Sequence, residues 1–148
     1  MRAVVQRVQS ASVAVAGEAV GSIGQGLLVY LGIAVDDSET DFEYIANKIP
    51  HLRIFDDENA VPNRSVLDVG GAVLLISQFT LYGDARHGRR PGYGAAAKPE
   101  TARAFYESMA ARLSETLPVQ TGIFQADMQV SSVNDGPVTI LLDSRRLF

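Results

Sequence analysis

The chain has 148 residues, a length typical of one domain with a single core, and 47% of them are hydrophobic, which excludes a disordered protein. The formal net charge of −4 excludes a surface that is basic all over, although a local basic patch is compatible with it. Cysteine is absent, which excludes disulfides, thiol nucleophiles and zinc–thiolate sites.

The first third of the chain predicts strands. Polar and apolar residues alternate over 1–8 and 12–15, and Ala16, Gly17 and Glu18 predict a hairpin turn before a returning strand over 19–23. Residues 27–35 are continuously apolar, which predicts a strand that is buried on both faces.

A helix and a short polar segment follow these strands. Residues 38–41 have the spacing of a capping box, and the apolar residues behind them recur on one helical face: Phe42, Ile45, Ala46 and Ile49. Pro50 predicts that the helix ends or kinks near Ile49, because proline lacks an N–H. We expect a short strand over 53–55 and a polar turn over 56–63.

The rest of the chain predicts further strands, a long loop and a second helix. Residues 72–76 predict a buried strand, and residues 82–98 a loop. Pro99 suits the first turn of a helix whose apolar stripe predicts core packing: Ala102, Phe105, Tyr106, Met109, Ala110 and Leu113. Residues 128–133 and 138–142 predict the last strands. The pattern predicts an α+β fold over residues 1–148, with a mostly antiparallel, curved sheet or partial β-barrel and two main helices packed on one side.

Neither a metal site nor a membrane segment is predicted. His51 and His87 lie far apart and outside any metal-ligand spacing. The N-terminal segment lacks the continuous apolar core of a signal peptide, and the longest apolar run is too short to cross a bilayer. We therefore expect a cytoplasmic protein that binds no metal or cofactor and contacts no membrane.

Residues 133–139 read VNDGPVT and lie between the last two predicted strands. Asn, Asp, Gly and Pro are typical turn residues, so the local sequence favours a tight turn. The same residues have other uses, because glycine permits close approach of a backbone or ligand and an X-Pro bond is where cis peptides occur.

Residues 77–81 read SQFTL and follow the buried strand at 72–76. Polar side chains there are costly unless they form hydrogen bonds. Either Ser77 and Thr80 cap backbone groups where the strand leaves the core, or the segment forms a pocket wall whose backbone N–H groups bind an oxyanion. Thr80 is a conceivable nucleophile, but Gln78 does not titrate, and neither a partner base nor a G-x-S-x-G motif is evident.

The densest positive segment contains Arg86, Arg89 and Arg90, with Lys98 a little beyond. Taken alone, such a run is more often a solvated loop. In an acidic chain, a flexible arginine-rich loop is also what contact with a phosphate backbone requires.

Together these segments resemble the D-aminoacyl-tRNA deacylase family over nearly the whole chain. The motifs S-Q-x-x-L at residues 77–81 and N-x-G-P-x-T at residues 134–139 occur in the family order. Residues 6–8, 11–13, 26–29, 52–55 and 121–128 are also similar to that family. Either motif alone would be weak evidence, whereas both in order are specific.

The resemblance implies an editing enzyme that cleaves the ester between a D-amino acid and the terminal adenosine of tRNA, and that also acts on mischarged glycyl-tRNA. It implies a homodimer with tRNA as partner and no DNA. Gly136 and Pro137 would form a Gly-cisPro element that enters the partner's pocket and rejects L-substrates.

The resemblance also assigns roles to residues. The backbone N–H groups of Phe79 and Thr80 would act at the ester carbonyl, assisted by the 2′-OH of the terminal adenosine. The substrate-binding residues would be Ser77, Gln78, Leu81, Asn134, Gly136, Pro137 and Thr139. The tRNA-binding residues would be Arg86, Arg89, Arg90 and Lys98.

Two other readings stay open. The first is an esterase that acts on the same substrate with the Thr80 hydroxyl as nucleophile. The second is a protein of the same fold that binds a small molecule or RNA without catalysis, because a fold does not fix a function.

Overall fold

A curved six-stranded sheet forms the centre of the fold in the computed structural model, which describes residues 1–148. The elements are, in chain order, β1 (Arg2–Val15), β2 (Glu18–Ile23), β3 (Gly26–Gly32), α1 (Glu39–His51), β4 (Phe55–Asp56), β5 (Pro62–Arg64), β6 (Ala72–Ser77), a 3₁₀ turn (Phe79–Tyr82), α2 (Pro99–Ser114), β7 (Val119–Thr121) and β8 (Met128–Asp143).

The sheet is mixed and nearly closed. β1 pairs antiparallel with β2, β3 and β8, whereas β3 pairs parallel with β6, and β6 with β7. β2 approaches β7 so closely that a Cβ at Gly21 would lie 2.7 Å from the Thr121 carbonyl oxygen. The predicted α+β class with a curved sheet and two helices is confirmed.

The core has two parts, one on each face of β3, as its continuously apolar sequence predicts. Leu27, Val29 and Leu31 join the larger cluster, which includes the predicted apolar face of α1 and much of that of α2. Leu28 faces the other way and packs in a smaller cluster inside the curved sheet. α1 extends through His51, one residue past Pro50, because a proline in the last turn removes only one hydrogen bond.

The turn predicted from residues 133–139 is wrong. β8 runs through this segment as one strand paired with β1. Gln6 pairs with Thr139 and Val8 pairs with Asn134, so the four residues 135–138 all lie opposite Arg7 and form an enlarged bulge. The bulge accommodates Pro137 without a missing ladder hydrogen bond, which explains how turn-type residues occur inside a strand.

β7 was not predicted, because three residues are too few to show a periodicity. The segment predicted as a polar turn over 56–63 instead contains part of a two-stranded hairpin, β4 with β5.

Candidate functional site

A cavity of about 580 Å³ opens at the carboxyl ends of β3 and β6. The carboxyl ends of parallel strands are a common place for ligand sites, because both strands stop at the same edge. Its walls are mainly apolar: Leu31, Ile33, Ile76, Ala102, Phe124, Met128 and Val130. Polar side chains come from Ser77, Gln78 and Gln125, so the cavity has the composition of a small-molecule site.

The predicted segment 77–81 forms one side of this cavity. Ser77, Gln78 and Phe79 line it, while Thr80 and Leu81 lie next to them in the 3₁₀ turn. The Gln78 side-chain amide donates a hydrogen bond to the Thr80 hydroxyl. Ser77 and Gln78 are half-buried, so the segment forms a pocket wall.

The 3₁₀ turn presents two backbone N–H groups that its own hydrogen bonds do not use. Its first internal bond runs from the Leu81 N–H to the Gln78 carbonyl at 3.3 Å. The N–H groups of Phe79 and Thr80 precede that bond, so they lack a partner within the turn. Backbone N–H groups without a partner in their own turn are one requirement of an oxyanion site.

Gly32, at the end of β3, allows the 3₁₀ turn to sit directly against the strand. A Cβ at Gly32 would lie 3.0 Å from the Gln78 carbonyl oxygen and 3.1 Å from the Leu81 Cβ. The absence of a side chain there therefore fixes how closely the turn approaches the cavity.

The loop 83–98 supplies cavity residues that the sequence did not identify. Tyr93 lines the cavity, and its ring meets that of Phe79 edge-on with centroids 5.0 Å apart. Ala96 and Ala97 line the cavity as well. Tyr93 is the one aromatic residue in a loop rich in Gly and Arg, and this could have marked it as a candidate site residue.

The cavity contains no pair of acid and base groups. Tyr93 is the only lining residue with a titratable side chain. No group of three His, Asp or Glu side chains in the chain is placed to hold a metal ion. Neither helix has the length and hydropathy that crossing a membrane requires.

The second motif lies in the bulge of β8, where the side chains of Asn134 and Thr139 form hydrogen bonds within the motif and to β1. Asn134 accepts a hydrogen bond from the Val138 N–H at 3.1 Å and donates one to the Thr139 hydroxyl at 3.2 Å. Gln6 of β1 also donates to the Thr139 hydroxyl at 3.2 Å. Asn134 and Thr139 thus hold the two sides of the bulge together.

Gly136 and Pro137 are exposed at the tip of the bulge, and the peptide bond between them is cis. Gly136 has φ +124°, a conformation that residues with a side chain rarely adopt. A Cβ there would lie 2.8 Å from Val138 Cγ2 and 3.2 Å from Arg7 Nη2. The position therefore requires glycine for both conformation and space.

Arg7 supports the bulge from beneath, and the sequence did not identify it. Its Nε donates to the Asp135 carbonyl at 3.2 Å and its Nη1 to the Ile54 carbonyl at 2.7 Å. The residue is only 8% exposed and has Asp56 and Asp135 as charge partners. A buried arginine is paired as a rule, so the charge is satisfied here.

Within one chain, the two motifs do not meet. The bulge lies opposite Arg7, which pairs with Leu27 near the start of β3, whereas the cavity lies at the other end of that strand. None of the motif residues 134–139 lines the cavity. A shared site for both motifs therefore requires a second chain.

The predicted tRNA-binding residues differ in whether they form an ion pair. Arg86 binds Asp84 through two side-chain hydrogen bonds at 2.9 and 2.6 Å, which raises the pKa of Arg86 and lowers that of Asp84. Arg89, Arg90 and Lys98 are exposed and form no ion pair. Lys98 lies between Ala97 and Pro99, which both line the cavity.

Known proteins match this chain over nearly its whole length. The family profile described as D-Tyr-tRNA(Tyr) deacylase matches residues 4–143. Proteins named D-aminoacyl-tRNA deacylase are 58% identical in Koribacter versatilis and 59% identical in Anaeromyxobacter dehalogenans, over 100% of both chains in each case.

Solved structures show the same fold. A structure titled c-Myc DNA Unwinding Element Binding Protein is 42% identical and superposes with a TM-score of 0.92, covering 97% of this chain and 98% of that one. A second, titled as the structural analysis of a probable eukaryotic D-amino acid tRNA deacylase, is 16% identical with a TM-score of 0.82. The second likeness concerns the fold alone.

Proposed function

The chain belongs to the D-Tyr-tRNA(Tyr) deacylase family, and we propose that it hydrolyses the ester between a D-amino acid and the terminal adenosine of tRNA. The products are the free amino acid and tRNA. A cytoplasmic location is part of the proposal.

One observation carries the proposal: two successive backbone N–H groups, at Phe79 and Thr80, are unused by their own turn beside an apolar cavity. Attack on the ester carbonyl puts negative charge on its oxygen, and two N–H donors stabilise that charge. An aminoacyl ester is already activated, so positioning and an oxyanion site are sufficient contributions from the protein.

The proton transfer is assigned to the substrate. The family resemblance implies that the 2′-OH of the terminal adenosine assists water attack, and a cavity wall without carboxylate, histidine or lysine supports this assignment. Hydrolysis of a substrate that ends in 2′-deoxyadenosine should therefore be slow.

Chirality is enforced by the bulge of a partner chain. Gly136 and Pro137 protrude from β8, and in a homodimer they enter the partner's cavity and fill the space that an L-side chain would need. Glycyl-tRNA has no side chain to reject and is a second substrate. Large apolar side chains exposed on β8, Val133 and Leu141, support an interface along this strand.

The body of the tRNA contacts the loop 83–98. Arg89, Arg90 and Lys98 carry charges free for phosphate contacts, and Lys98 lies at the edge of the cavity that takes the aminoacyl end. Arg86 contributes less, because Asp84 already neutralises it.

The direct test compares release of amino acid from D-tyrosyl-tRNA and L-tyrosyl-tRNA. We expect rapid hydrolysis of the D-ester and little hydrolysis of the L-ester. If neither ester reacts, the protein is a non-catalytic binder of the same fold. Equal rates on both would contradict rejection by the bulge.

Replacing Thr80 with alanine separates this mechanism from one with Thr80 as nucleophile. The backbone N–H survives in Thr80→Ala, so we expect kcat to stay within about tenfold of the wild type. Loss of a nucleophile costs far more, on the order of 10⁴-fold or above. A loss of that size would favour the Thr80 esterase.

A further inference from the structure

We propose that Arg2 is a positioning residue that holds the 3₁₀ turn in place for hydrolysis. The inference rests on the proposed function, because it assigns a purpose to the position of the Phe79 and Thr80 N–H groups. Arg2 begins β1 and touches neither of these residues through a hydrogen bond, so it acts through the end of the turn.

Three of the contacts of the Arg2 guanidinium together join the turn to the sheet. Its Nη1 donates to the Leu81 carbonyl at 3.1 Å, and its Cζ lies 4.7 Å from the centre of the Tyr82 ring. Its Nε donates to Asp143 at the end of β8, at 2.9 Å. The Asp143 side chain is only 3% exposed, so the anchor of the guanidinium is fixed.

The 3₁₀ turn needs such an external contact because it is short. A turn of four residues has few internal hydrogen bonds, and the last carbonyls of any helical turn lack partners inside it. The Leu81 carbonyl is one of these, and Arg2 satisfies it with a charged donor. Tyr82, the last residue of the turn, contacts the Arg2 guanidinium with the face of its ring in a cation–π interaction.

The turn is therefore held at both of its ends. Gly32 of β3 allows close contact at Gln78 and Leu81, and Arg2 fixes Leu81 and Tyr82. A rotation of the turn about its contact with β3 would move both N–H groups away from the ester oxygen. Because a displacement of about 1 Å reduces catalysis strongly, loss of the Arg2 contacts should lower kcat rather than substrate affinity.

The test uses Arg2→Met, which keeps the length and apolar stem of the side chain but removes its donors and charge. We expect kcat for D-tyrosyl-tRNA to fall on the order of tenfold with KM unchanged. The same fold loss is expected on D-tyrosyl-adenosine, which lacks the tRNA body. The matched control is Arg112→Gln, since Arg112 also binds a carboxylate, Glu43, at 2.8 Å but makes no hydrogen bond to the turn.

Unchanged kcat in folded Arg2→Met overturns the inference, as does a rise in KM for the tRNA ester with kcat intact. If Arg2→Met does not fold, Asp143→Asn serves instead, because it removes the charge that anchors Arg2 and leaves Arg2 present. A fall in kcat of about threefold at unchanged KM is then expected, and no fall overturns the inference. Failure of the proposed function is separate, since the wild-type protein would then hydrolyse neither ester.

Discussion

Phe79 gives the cavity two separable features, an exposed ring and a backbone N–H. Phe79 is 54% exposed and its ring contacts Tyr93, whereas its N–H is the first donor of the 3₁₀ turn. Proline at the first position of a helical turn is tolerated and removes the N–H, whereas alanine removes the ring alone. Gln78, with φ −143° and ψ 81°, is outside the helical region that a following proline disfavours.

We predict that Phe79→Pro loses about 10²-fold more kcat on D-tyrosyl-tRNA than Phe79→Ala, because only the first removes an oxyanion donor. Single-turnover kinetics of the two variants, with thermal unfolding as the check on folding, measure the difference. Similar losses in both would assign the effect to the ring and remove the N–H from the mechanism.

Among single residues, the sequence indicates the environment of those whose neighbours in the chain determine it. For Ser77 and Gln78 the polar side chains after a buried strand left two readings open, backbone capping or a pocket wall, and both residues line the cavity. Arg7 was not predicted, because an arginine in an alternating strand is usually solvent-facing. Its role depends on Asp135, 128 residues later, and no local pattern encodes that contact.

At the level of elements, the loop 83–98 contains one arginine in an ion pair, Arg86, and two without one, Arg89 and Arg90. We predict that Arg89→Gln combined with Arg90→Gln lowers the salt dependence of tRNA binding by about 1.5 in the slope of log K against log salt. The control, Asp84→Asn with Arg86→Gln, keeps the net charge of the loop and removes an existing ion pair, so its slope should match the wild type.

Filter binding of uncharged tRNA at several salt concentrations gives these slopes. If the double variant of Arg89 and Arg90 keeps the wild-type slope, the loop is a solvated segment without phosphate contacts. Hydrolysis of D-tyrosyl-adenosine should be the same in all of these variants, since the small ester does not reach the loop's phosphate contacts.

The elements that the sequence predicted well are those with strong periodicity. β3, β6 and both helices follow from apolar runs and helical spacing, because the buried residues of each element form a pattern that is visible within that element alone. The bulge in β8 was predicted as a turn, since Asn, Asp, Gly and Pro favour both structures. Pairing with β1 decides between them, and pairing is a tertiary interaction that residues 133–139 do not encode alone.

For the molecule as a whole, the distance between the two motifs along β3 is the central fact. The cavity lies at the end of β3, while the bulge lies opposite Arg7 near its start. Neither composition nor motif order could predict this separation, because it depends on how β1 pairs with β3 and β8 and not on the residues of either motif. The proposed homodimer resolves it, since a two-fold axis lets each bulge reach the other chain's cavity.

Complementation between protomers tests this arrangement. Gly136→Ala strains the bulge, because an alanine there has φ +124° and its Cβ meets Val138 and Arg7. Phe79→Pro damages the cavity of its own chain and leaves the bulge intact. Each homodimer then has two defective sites, and we expect both to hydrolyse D-tyrosyl-tRNA slowly.

A heterodimer of these two variants has a different outcome if the bulge acts on the partner's cavity. One site then combines the intact Phe79 of the Gly136→Ala chain with the intact bulge of the Phe79→Pro chain, so about half of the wild-type activity per dimer should return. If each bulge served its own chain, both sites of the heterodimer would stay defective. Co-expression with two different affinity tags isolates the heterodimer, and its rate on D-tyrosyl-tRNA, compared with the two parent homodimers, decides between the arrangements.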